Sequence, residues 1–298
     1  MKRVIRVGSR ESKLAMVQTE WVINEIKKKH PALEFEIQGY KTKGDVLLNE
    51  RLDKIGGKGL FVKELEYALI SGDIDFAVHS LKDMPAVIPE KLTIAAASRR
   101  EDPRDVLVTT DGRKLRDLPA GAVIGTSSVR REVQISAMRP DLVYKTLRGN
   151  VLTRLKKLSD GEYDAIVLAA AGLKRLGLED RCVEYFDTGD VIPAVGQGIL
   201  AIEARRGDGL DYMIDSVNDQ DSFRAAQAER AFMIRLNGGC SVPMGAYAVI
   251  DGQHLEMKGM LALEDKSRIY RAEVKGSKYD AESLGLKLAE KVSREMSR

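Results

Sequence analysis

The sequence has few of the features that mark membrane, disulfide-rich or nucleic-acid-binding proteins. Its 298 residues include only Cys182 and Cys240, too few for a disulfide framework or a zinc site. The longest apolar run, around residues 165–173, is about half the length that crosses a bilayer, and the first residues contain no signal-peptide core. The net charge of +3 does not by itself imply a nucleic-acid partner. We therefore expect a reduced, cytoplasmic protein with no bound metal.

The composition is that of a globular protein with more than one hydrophobic core. Hydrophobic residues make up 44% of the chain and charged residues 31%, and the length allows two or three domains. A helix is predicted over residues 13–29, between strands at 4–7 and 33–40. Residues 41–58 contain glycine and charge but no clean period, so we expect a long mobile loop that acts as a lid.

Two parts of the sequence repeat the same order of features. Residues 7–10 and 124–128 each pass from a strand through glycine into a hydroxyl-bearing turn before a helix. Residues 72–78 and 161–167 share a Gly-acid-x-Asp-x-x-Val pattern, and each follows an amphipathic helix. The matching order favours two α/β lobes of like construction, and chance similarity between two βαβ units is the alternative.

Two segments predict crossings between these lobes. Residues 98–105 are strongly charged and residues 193–198 are rich in glycine, and each precedes a predicted strand. Two crossings would give a hinged cleft. We therefore predict an α/β fold with a first lobe from residues 1–98 and 194–218, a second lobe from 99–193 and a small α+β domain from 219–298.

The most informative stretch is residues 78–85, where an apolar strand ends in polar side chains. Lys82 and Asp83 stand together before Pro85, at the end of a predicted parallel strand, where open α/β sheets bind ligands. A solvated loop pair is the alternative. In a cleft, Asp83 could give a proton to a leaving group and stabilise the cation left behind. His79 could instead serve as a base for Cys240, although the three histidines show no triad pattern.

Arginine side chains recur at the predicted loops and helix starts of both lobes. Each one alone is typical of a solvated surface, but helix N-termini and guanidinium groups together suit carboxylates and phosphates. The set favours a small ligand with several negative charges, and it lacks the motifs of phosphate loops and nucleic-acid-binding modules. Its members are Arg10, Arg130, Arg131, Arg148, Arg154 and Arg175.

Cys240 lies between two glycines and a nearby proline, a pattern that predicts a tight turn with the thiol on a loop. Such a cysteine could be a nucleophile or a point of covalent attachment. A buried, inert thiol is the alternative, and it is what we expect for Cys182.

These motifs together resemble the porphobilinogen deaminase (hydroxymethylbilane synthase) family along almost the whole chain. The most specific segments are residues 79–85 (HSLKDMP) and 238–245 (GGCSVPMG). The other matching segments occur in the same order, at residues 8–15, 57–61, 125–131, 148–150, 171–176 and 193–198.

The resemblance implies a fold, a cofactor and a reaction. The fold is two like lobes around a cleft, similar to bilobal solute-binding proteins, with a third domain that carries the cysteine. The cofactor is one dipyrromethane per chain, held as a thioether at the position of Cys240. Four porphobilinogen molecules are added to it stepwise, each with loss of ammonia, and hydrolysis releases 1-hydroxymethylbilane.

The resemblance also implies the site residues. Asp83 matches the catalytic carboxylate, which assists the departure of ammonia and stabilises the cationic azafulvene intermediate and pyrrole N–H groups. The positions that match carboxylate-binding, chain-elongating and supporting residues are Arg10, Ser12, Gln18, Lys54, Lys58, Ser80, Lys82, Thr126, Ser128, Arg130, Arg131, Arg148, Arg154 and Arg175. Ser241 stands where many relatives have glutamine, which leaves the attachment chemistry intact.

Two other classes of protein explain part of the pattern. A bilobal solute-binding protein would account for the lobes and arginines, but it would need an export signal and has no use for Cys240. A cysteine hydrolase would use Cys240 but leaves Asp83 and the arginines without a role. The resemblance implies the small molecule porphobilinogen as the partner, with no nucleic acid or membrane, and we expect a monomer.

Overall fold

The structure is a computed structural model that describes residues 4–42, 62–236, 243–263 and 265–297. The strands are β1 (Val4–Arg10), β2 (Glu34–Tyr40), β3 (Phe76–Ser80), β4 (Leu92–Ala97), β5 (Asp105–Val108), β6 (Val123–Gly125), β7 (Val143–Lys145), β8 (Ala165–Ala169), β9 (Glu184–Tyr185), β10 (Leu200–Arg205), β11 (Met244–Asp251), β12 (His254–Ala262) and β13 (Ile269–Ser277). The helices are α1 (Lys13–Lys29), α2 (Lys63–Ser71), α3 (Val129–Met138), α4 (Val151–Ser159), α5 (Ala170–Arg175), α6 (Asp211–Ile214), α7 (Gln220–Arg235) and α8 (Ala281–Met296).

Two five-stranded sheets share one topology, which confirms the predicted architecture of two like lobes. The first sheet has the order β2-β1-β3-β10-β4 and the second the order β7-β6-β8-β5-β9. In each, three parallel strands are followed by an antiparallel strand, β10 in the first lobe and β5 in the second. The predicted αβ repeat therefore forms the parallel half of each sheet.

The repeated Gly-acid-x-Asp pattern has the same structural purpose in both lobes. Gly72 and Gly161 take positive φ angles of 82° and 79°, which glycine adopts without strain, and so end the preceding helices. Asp75 Oδ2 then accepts a 2.7 Å hydrogen bond from the backbone N–H of Arg6, and Asp164 Oδ2 accepts one of 2.7 Å from Val123. Each aspartate therefore ties the start of one parallel strand to its neighbour.

Helices cover both faces of the two lobe sheets, as a mostly parallel sheet requires. In the first lobe, α1 and α6 pack on one face, while Leu65 and Leu69 of α2 pack on the other. In the second lobe, Ile135 of α3 packs on one face, and Leu155 and Leu158 of α4 pack on the opposite face. The carboxyl ends of the parallel strands, where α1 and α3 begin, are thus left to form a site.

The C-terminal part of the chain forms a third, antiparallel sheet of β11, β12 and β13. Helices α7 and α8 cover one face of it, with Phe232 and Leu288 fully buried between the layers. This is the small α+β unit that the sequence predicts. The domain boundaries after residues 98, 193 and 218 stay predictions.

Two neighbouring segments join the first lobe to the second. The N–H of Glu101 donates a 3.1 Å hydrogen bond to the carbonyl of Gly198, and the N–H of Ser98 donates one of 2.9 Å to Leu200. Gly198 has a φ of 91°, and a Cβ there would strike the carbonyl oxygen of Glu101, so a larger residue does not fit. The two crossings therefore lie side by side, as a hinged cleft requires.

One buried carboxylate connects these crossings to the third sheet. Glu229 of α7 accepts hydrogen bonds from the N–H of Gly196 at 2.7 Å, from the N–H of Ala248 at 2.8 Å and from Arg100 Nη2 at 2.6 Å. Burial raises the pKa of Glu229, and the charge of Arg100 opposes that rise. The first crossing, the second crossing and strand β11 therefore meet at one side chain.

The structure differs from the sequence-based expectations at several points. The short helix α6 has no counterpart among the predicted elements, and the apolar run at 165–173 divides into β8 and the start of α5. Both elements are shorter than the windows in which periodicity is visible. The lid predicted at residues 41–58 lies outside the described residues except for Lys41 and Thr42.

The closest approach of α7 and α8 leads to a stability prediction. A Cβ on Gly285 would overlap the carbonyl oxygen of Ala228 and lie 2.9 Å from the Cβ of Ala231. We expect Gly285→Ala to lower the free energy of unfolding by about 2 to 3 kcal/mol, because the helices must separate. Ser283→Ala, at an exposed position of the same helix, should change it by less than about 0.5 kcal/mol. Equal urea midpoints for the two variants would contradict the packing described here.

Candidate active site

The segment that follows β3 presents Lys82 and Asp83 at the carboxyl end of the strand. Residues Leu81–Asp83 form one turn of 3-10 helix, anchored by the buried side chains of Leu81 and Met84. The N–H of Leu81 donates a 3.0 Å hydrogen bond to Ile199, and the N–H of Met84 donates one of 3.1 Å to Leu81. With both apolar residues facing inward, Lys82 and Asp83 stay half-buried, and the Asp83 side chain is 38% exposed.

A second segment has the same local structure and lies elsewhere. Residues Leu115–Asp117 also form a 3-10 turn, in the sequence Leu-Arg-Asp-Leu-Pro, with Leu115 and Leu118 buried. Asp117 is 49% exposed and its nearest cation is Arg116, at 3.4 Å. The turn alone therefore does not make a site, and the groups around Asp83 distinguish the two segments.

The first lobe supplies the residues nearest to Asp83. Arg10, predicted at a helix start, is the last residue of β1, and its Nη1 lies 3.8 Å from Asp83 Oδ2. Ser12 caps α1 by accepting a 3.3 Å hydrogen bond from the N–H of Ala15. Gln18 Nε2 donates a 3.0 Å hydrogen bond to Ser80 Oγ. These predicted residues come together where β1 and β3 end side by side.

Arg130 and Arg131 lie in the first turn of α3 and bind one buried carboxylate. Arg130 Nη1 is 2.7 Å from Asp105 Oδ2, and Arg131 Nε donates a 2.9 Å hydrogen bond to Asp105 Oδ1. Both guanidinium groups also donate to backbone carbonyls, those of Ile192 and Val167. Burial alone would raise the pKa of Asp105, but the two arginines hold it well below its usual range.

The turn before α3 is held by its own hydroxyl groups. Ser128 Oγ accepts a 3.4 Å hydrogen bond from the N–H of Arg131, as an N-cap does, and Thr126 Oγ1 accepts one of 3.1 Å from the N–H of Ser128. Thr126 is buried, so its hydroxyl shapes the turn. The two hydroxyl groups therefore orient the helix start that carries both arginines.

Lys82 and Gln197 join the two lobes at this point. Lys82 Nζ donates a 3.4 Å hydrogen bond to Gln197 Oε1, while Gln197 Nε2 donates to Asp105 Oδ1 at 3.0 Å and to the Pro103 carbonyl at 2.7 Å. The pKa of Lys82 is lowered to about 8, mainly by burial and also by the charge of Arg131, while the charges of Asp83 and Asp105 oppose the shift. An ammonium with a depressed pKa is one that a negative ligand would stabilise.

Arg148 and Arg154 flank the start of α4 in the second lobe. Asn150 caps this helix, and Arg154 Nε donates a 2.8 Å hydrogen bond to the Gly149 carbonyl. The pKa of Arg154 is lowered to about 10, mainly by burial and also by the charges of Arg131 and Arg148, while the charge of Asp83 opposes the shift. Arg154 is therefore close enough to feel Asp83 across the cleft. Arg148 is half-buried and makes no hydrogen bond or ion pair with any other described residue.

Arg175 lies farther along the cleft, beside the hinge. It is the last residue of α5. Its Nη2 donates a 2.7 Å hydrogen bond to the carbonyl of Gly198 in the second crossing. Burial lowers the pKa of Arg175 to about 10, and Glu101 opposes that shift. Arg175 thus connects the second lobe to the crossing.

Several predicted residues do not appear in this arrangement. Lys54, Lys58 and Cys240 lie outside the described residues. His79, considered as a base for Cys240, is buried within β3, where its Nε2 is 3.0 Å from Glu203 Oε2. Cys182 is half-buried with burial raising its pKa, which fits an inert thiol better than a reactive one.

Asp105 and Gln197, which connect the two lobes beside Lys82, were not among the residues predicted from the sequence. Asp105 is the one polar residue of the buried strand β5, and a lone acid at the start of an apolar strand was the available signal. Gln197 lies within the glycine-rich turn at 193–198, where its neighbours suggested only a bend. Neither pattern reveals a partner in another lobe.

Two features are absent from the part of the chain that the structure describes. In the ranges 4–42, 62–236, 243–263 and 265–297, no group of three or more His, Cys, Asp or Glu side chains could hold a metal ion. Over the same ranges, no helix combines the length and the apolar character needed to cross a membrane.

Comparisons with known proteins match the chain from end to end. Residues 5–210 match the family model described as porphobilinogen deaminase, dipyromethane cofactor binding domain, and residues 223–294 match the porphobilinogen deaminase C-terminal domain. The porphobilinogen deaminase of Geobacillus kaustophilus is 52% identical over 96% of this chain and 93% of its own length. That of Bacillus subtilis is 49% identical over 97% and 92%.

Among solved structures, similarity extends to solute-binding proteins at low identity. A methionine-binding protein, MetQ, aligns with a TM-score of 0.48 and 13% identity over 76% of this chain and 94% of its own. A nutrient-binding protein from Burkholderia cenocepacia aligns with a TM-score of 0.44 and 14% identity, over 78% and 95%. The family models, by contrast, cover both lobes and the third sheet. The curated relatives are about 50% identical over nearly the whole chain. The chain therefore belongs to the porphobilinogen deaminase family.

Proposed function

We propose that the chain is a porphobilinogen deaminase (hydroxymethylbilane synthase), a transferase of tetrapyrrole biosynthesis. Four porphobilinogen molecules condense head to tail, each with loss of ammonia, and hydrolysis then releases 1-hydroxymethylbilane. The observation that carries this proposal is the position of Asp83. Its carboxylate lies 3.8 Å from Arg10, next to Lys82, and within electrostatic reach of Arg154 from the other lobe.

The chemistry of the cleft fits a dipyrromethane cofactor. Each pyrrole of such a group carries an acetate and a propionate, and the cleft offers guanidinium, ammonium, amide and hydroxyl groups that bind carboxylates. Lys82, Arg154 and Arg175 are half-buried, and their pKa values are depressed because desolvation outweighs the negative charges near them. The residues that would hold the cofactor and the lengthening product are Arg10, Ser12, Gln18, Ser80, Lys82, Thr126, Ser128, Arg130, Arg131, Arg148, Arg154 and Arg175.

Cys240 would carry the cofactor through its sulfur, and Lys54 and Lys58 would add two further cations. When bound, the dipyrromethane supplies the free pyrrole carbon to which the first substrate is joined. The remaining work belongs to the side chains of the cleft, which bind carboxylates and place the aminomethyl group of the substrate beside Asp83.

Asp83 is the proposed catalytic residue. Its carboxylate would accept a hydrogen bond from the aminomethyl ammonium of porphobilinogen and from the pyrrole N–H, and would stabilise the positive charge that develops as ammonia leaves. Arg10 and Arg154 would bind the acetate and propionate arms beside it. Carboxylate binding would thus fix the reacting carbon near the carboxylate of Asp83.

The two lobes have different parts in this proposal. The first lobe holds Asp83, Arg10, Ser80 and Lys82, so the bond-forming step takes place against it. The second lobe brings Arg148 and Arg154 at the start of α4, positions suited to carboxylates of units already added. Arg175 would serve the same role near the hinge.

We also propose that the protein works as a monomer in the cytoplasm. All of the proposed residues belong to one chain, so no second copy is needed to complete the site. Thioether attachment at Cys240 requires a free thiol, and reducing compartments keep thiols in that form.

The first prediction tests Asp83. We expect Asp83→Ala to lower kcat for porphobilinogen consumption by about 10²- to 10⁴-fold, the usual contribution of a group that acts on protons in the reaction. The matched control is Asp117→Ala, which removes the corresponding carboxylate from the other Leu-x-Asp turn and should leave kcat unchanged. Near-normal turnover by the Asp83 variant would rule out its catalytic role.

The second prediction tests elongation. We expect Arg148→Leu to reduce the rate of 1-hydroxymethylbilane formation by about 10- to 100-fold, through the loss of a charge-assisted hydrogen bond to product carboxylates. Partly elongated enzyme should then accumulate and be visible by intact-mass spectrometry. Arg116→Leu, at an exposed position of the same lobe, removes the same charge and should behave like the parent. A normal rate for the Arg148 variant would contradict this assignment.

The third prediction tests the attachment site. The intact mass of the purified protein should exceed the 33.0 kDa of the bare chain by two deaminated porphobilinogen units, and Cys240→Ser should lack this excess. If the parent has the bare mass, incubation with porphobilinogen should add the missing units. No mass gain and no turnover would contradict the proposed function and favour a binding protein.

A further inference from the structure

The catalytic segment, residues 80–86, is held at its first end by a buried pair. His79, directly before it, has its Nε2 3.0 Å from Glu203 Oε2, and both side chains are buried. Strand β10 runs antiparallel to β3 with Ala201 opposite His79 and Glu203 opposite Ala77. Since side chains alternate along a strand, Glu203 and His79 share one face of the sheet.

The other end of the segment is held by the third domain. Arg230 lies on α7, and its Nη2 donates two 3.0 Å hydrogen bonds, one to the carbonyl of Pro85 and one to that of Ala86. Helix α7 ends at Arg235, five positions before Cys240. One side chain therefore links the segment that carries Asp83 to the helix that leads to the predicted attachment site.

These two ends are connected through Glu203. The carboxylate of Glu203 is fully buried. Burial lowers the pKa of Arg230, and the negative charge of Glu203 opposes that shift. Glu203 Oε1 and Arg230 Nη1 are both buried without a hydrogen-bond partner among the described residues. Leaving a carboxylate oxygen buried without a hydrogen bond costs free energy, which the contact of Oε2 with His79 offsets only in part.

One more acid belongs to this cluster. Glu66 of α2 is buried, and burial, followed by the charge of Glu203, raises its pKa to about 7, while His79 and Lys63 oppose the shift. The cluster of Glu66, His79, Glu203 and Arg230 lies directly behind the catalytic segment. The mechanism proposed above uses none of these groups.

We propose that Glu203 and Arg230 are positioning residues for the reaction. Glu203 fixes His79 directly before residues 80–86, and Arg230 fixes the carbonyls of Pro85 and Ala86 at their end. Asp83 is thereby set at a constant position relative to the substrate and to the helix that leads to Cys240. A displacement of about 1 Å at a reacting group lowers rates by roughly 10²-fold, which gives such a clamp its value. The inference rests on the proposed function.

The test uses Glu203→Gln, Arg230→Met and the double variant, with Arg206→Met as the matched control. Arg206 is exposed and donates from Nε to the Glu90 carbonyl, away from residues 80–86. Each single substitution should lower kcat by at least roughly tenfold with KM within about twofold, because the carboxylate-binding arginines are unchanged. The kcat of the double variant should be no more than about twofold below that of the less active single variant, because both side chains hold the same segment.

A second measurement does not depend on turnover. Hydrogen exchange at the amides of Leu81 and Met84, which donate to Ile199 and Leu81, should become faster in Glu203→Gln and Arg230→Met and stay unchanged in Arg206→Met. Arg230→Lys, which retains the cation, should restore part of the protection and of kcat. Urea midpoints identify any variant that fails to fold. If Arg230→Met is such a variant, the exchange rates and kcat of Arg230→Lys and Glu203→Gln decide the question.

Three outcomes would overturn the proposal: unchanged exchange at Leu81 and Met84, unchanged kcat in the folded variants, or an effect of Arg206→Met equal to that of Arg230→Met. Fully multiplicative losses in the double variant would also contradict a shared clamp. If the parent protein itself does not consume porphobilinogen, the proposed function fails, and the exchange experiment still decides whether Glu203 and Arg230 fix the segment.

Discussion

The cleft depends on one buried carboxylate, Asp105, and on the two guanidinium groups that surround it. Asp105 starts strand β5 of the second lobe, and Arg130 and Arg131 come from the first turn of α3. Removing one partner from such a buried set costs about 3–5 kcal/mol, because it leaves an uncompensated charge in the interior. Through Gln197, the same carboxylate is connected to Lys82 of the first lobe. The positions of the positive charges around Asp83 therefore depend on Asp105.

Much of the fold could be predicted from local sequence, because the signals for it are local. The 3.6-residue period gave the bounds of α1, and the Gly-acid-x-Asp pattern marked the turn that begins β3 and β8. That pattern recurs because each lobe needs a left-handed glycine and an aspartate that pairs with a neighbouring backbone N–H. Local chemistry of this kind repeats whenever the same turn is built.

The candidate site was predictable only in part. Asp83 was proposed as the catalytic residue because residues 79–85 resemble a segment specific to one family. Its local structure is not specific, since Leu115–Asp117 forms the same turn. Gln197 and Asp105 are 92 positions apart, and Arg230 and Pro85 are 145 apart. Pairings at such separations leave no periodic or compositional trace in the sequence, so these hydrogen bonds emerged only from the three-dimensional arrangement.

The junction at Glu229 has a consequence for how the enzyme makes room. Its carboxylate accepts hydrogen bonds from the first crossing, the second crossing and strand β11 at once. Hydrogen bonds weaken steeply as their distance and angle depart from the ideal values. A large rotation of one lobe would therefore break the hydrogen bonds that Glu229 accepts from the two crossings and from β11. We therefore expect the lobes to separate only slightly. Space for successive pyrroles would then come from translation of the polymer along the cleft, with each new link passing a stationary carboxylate.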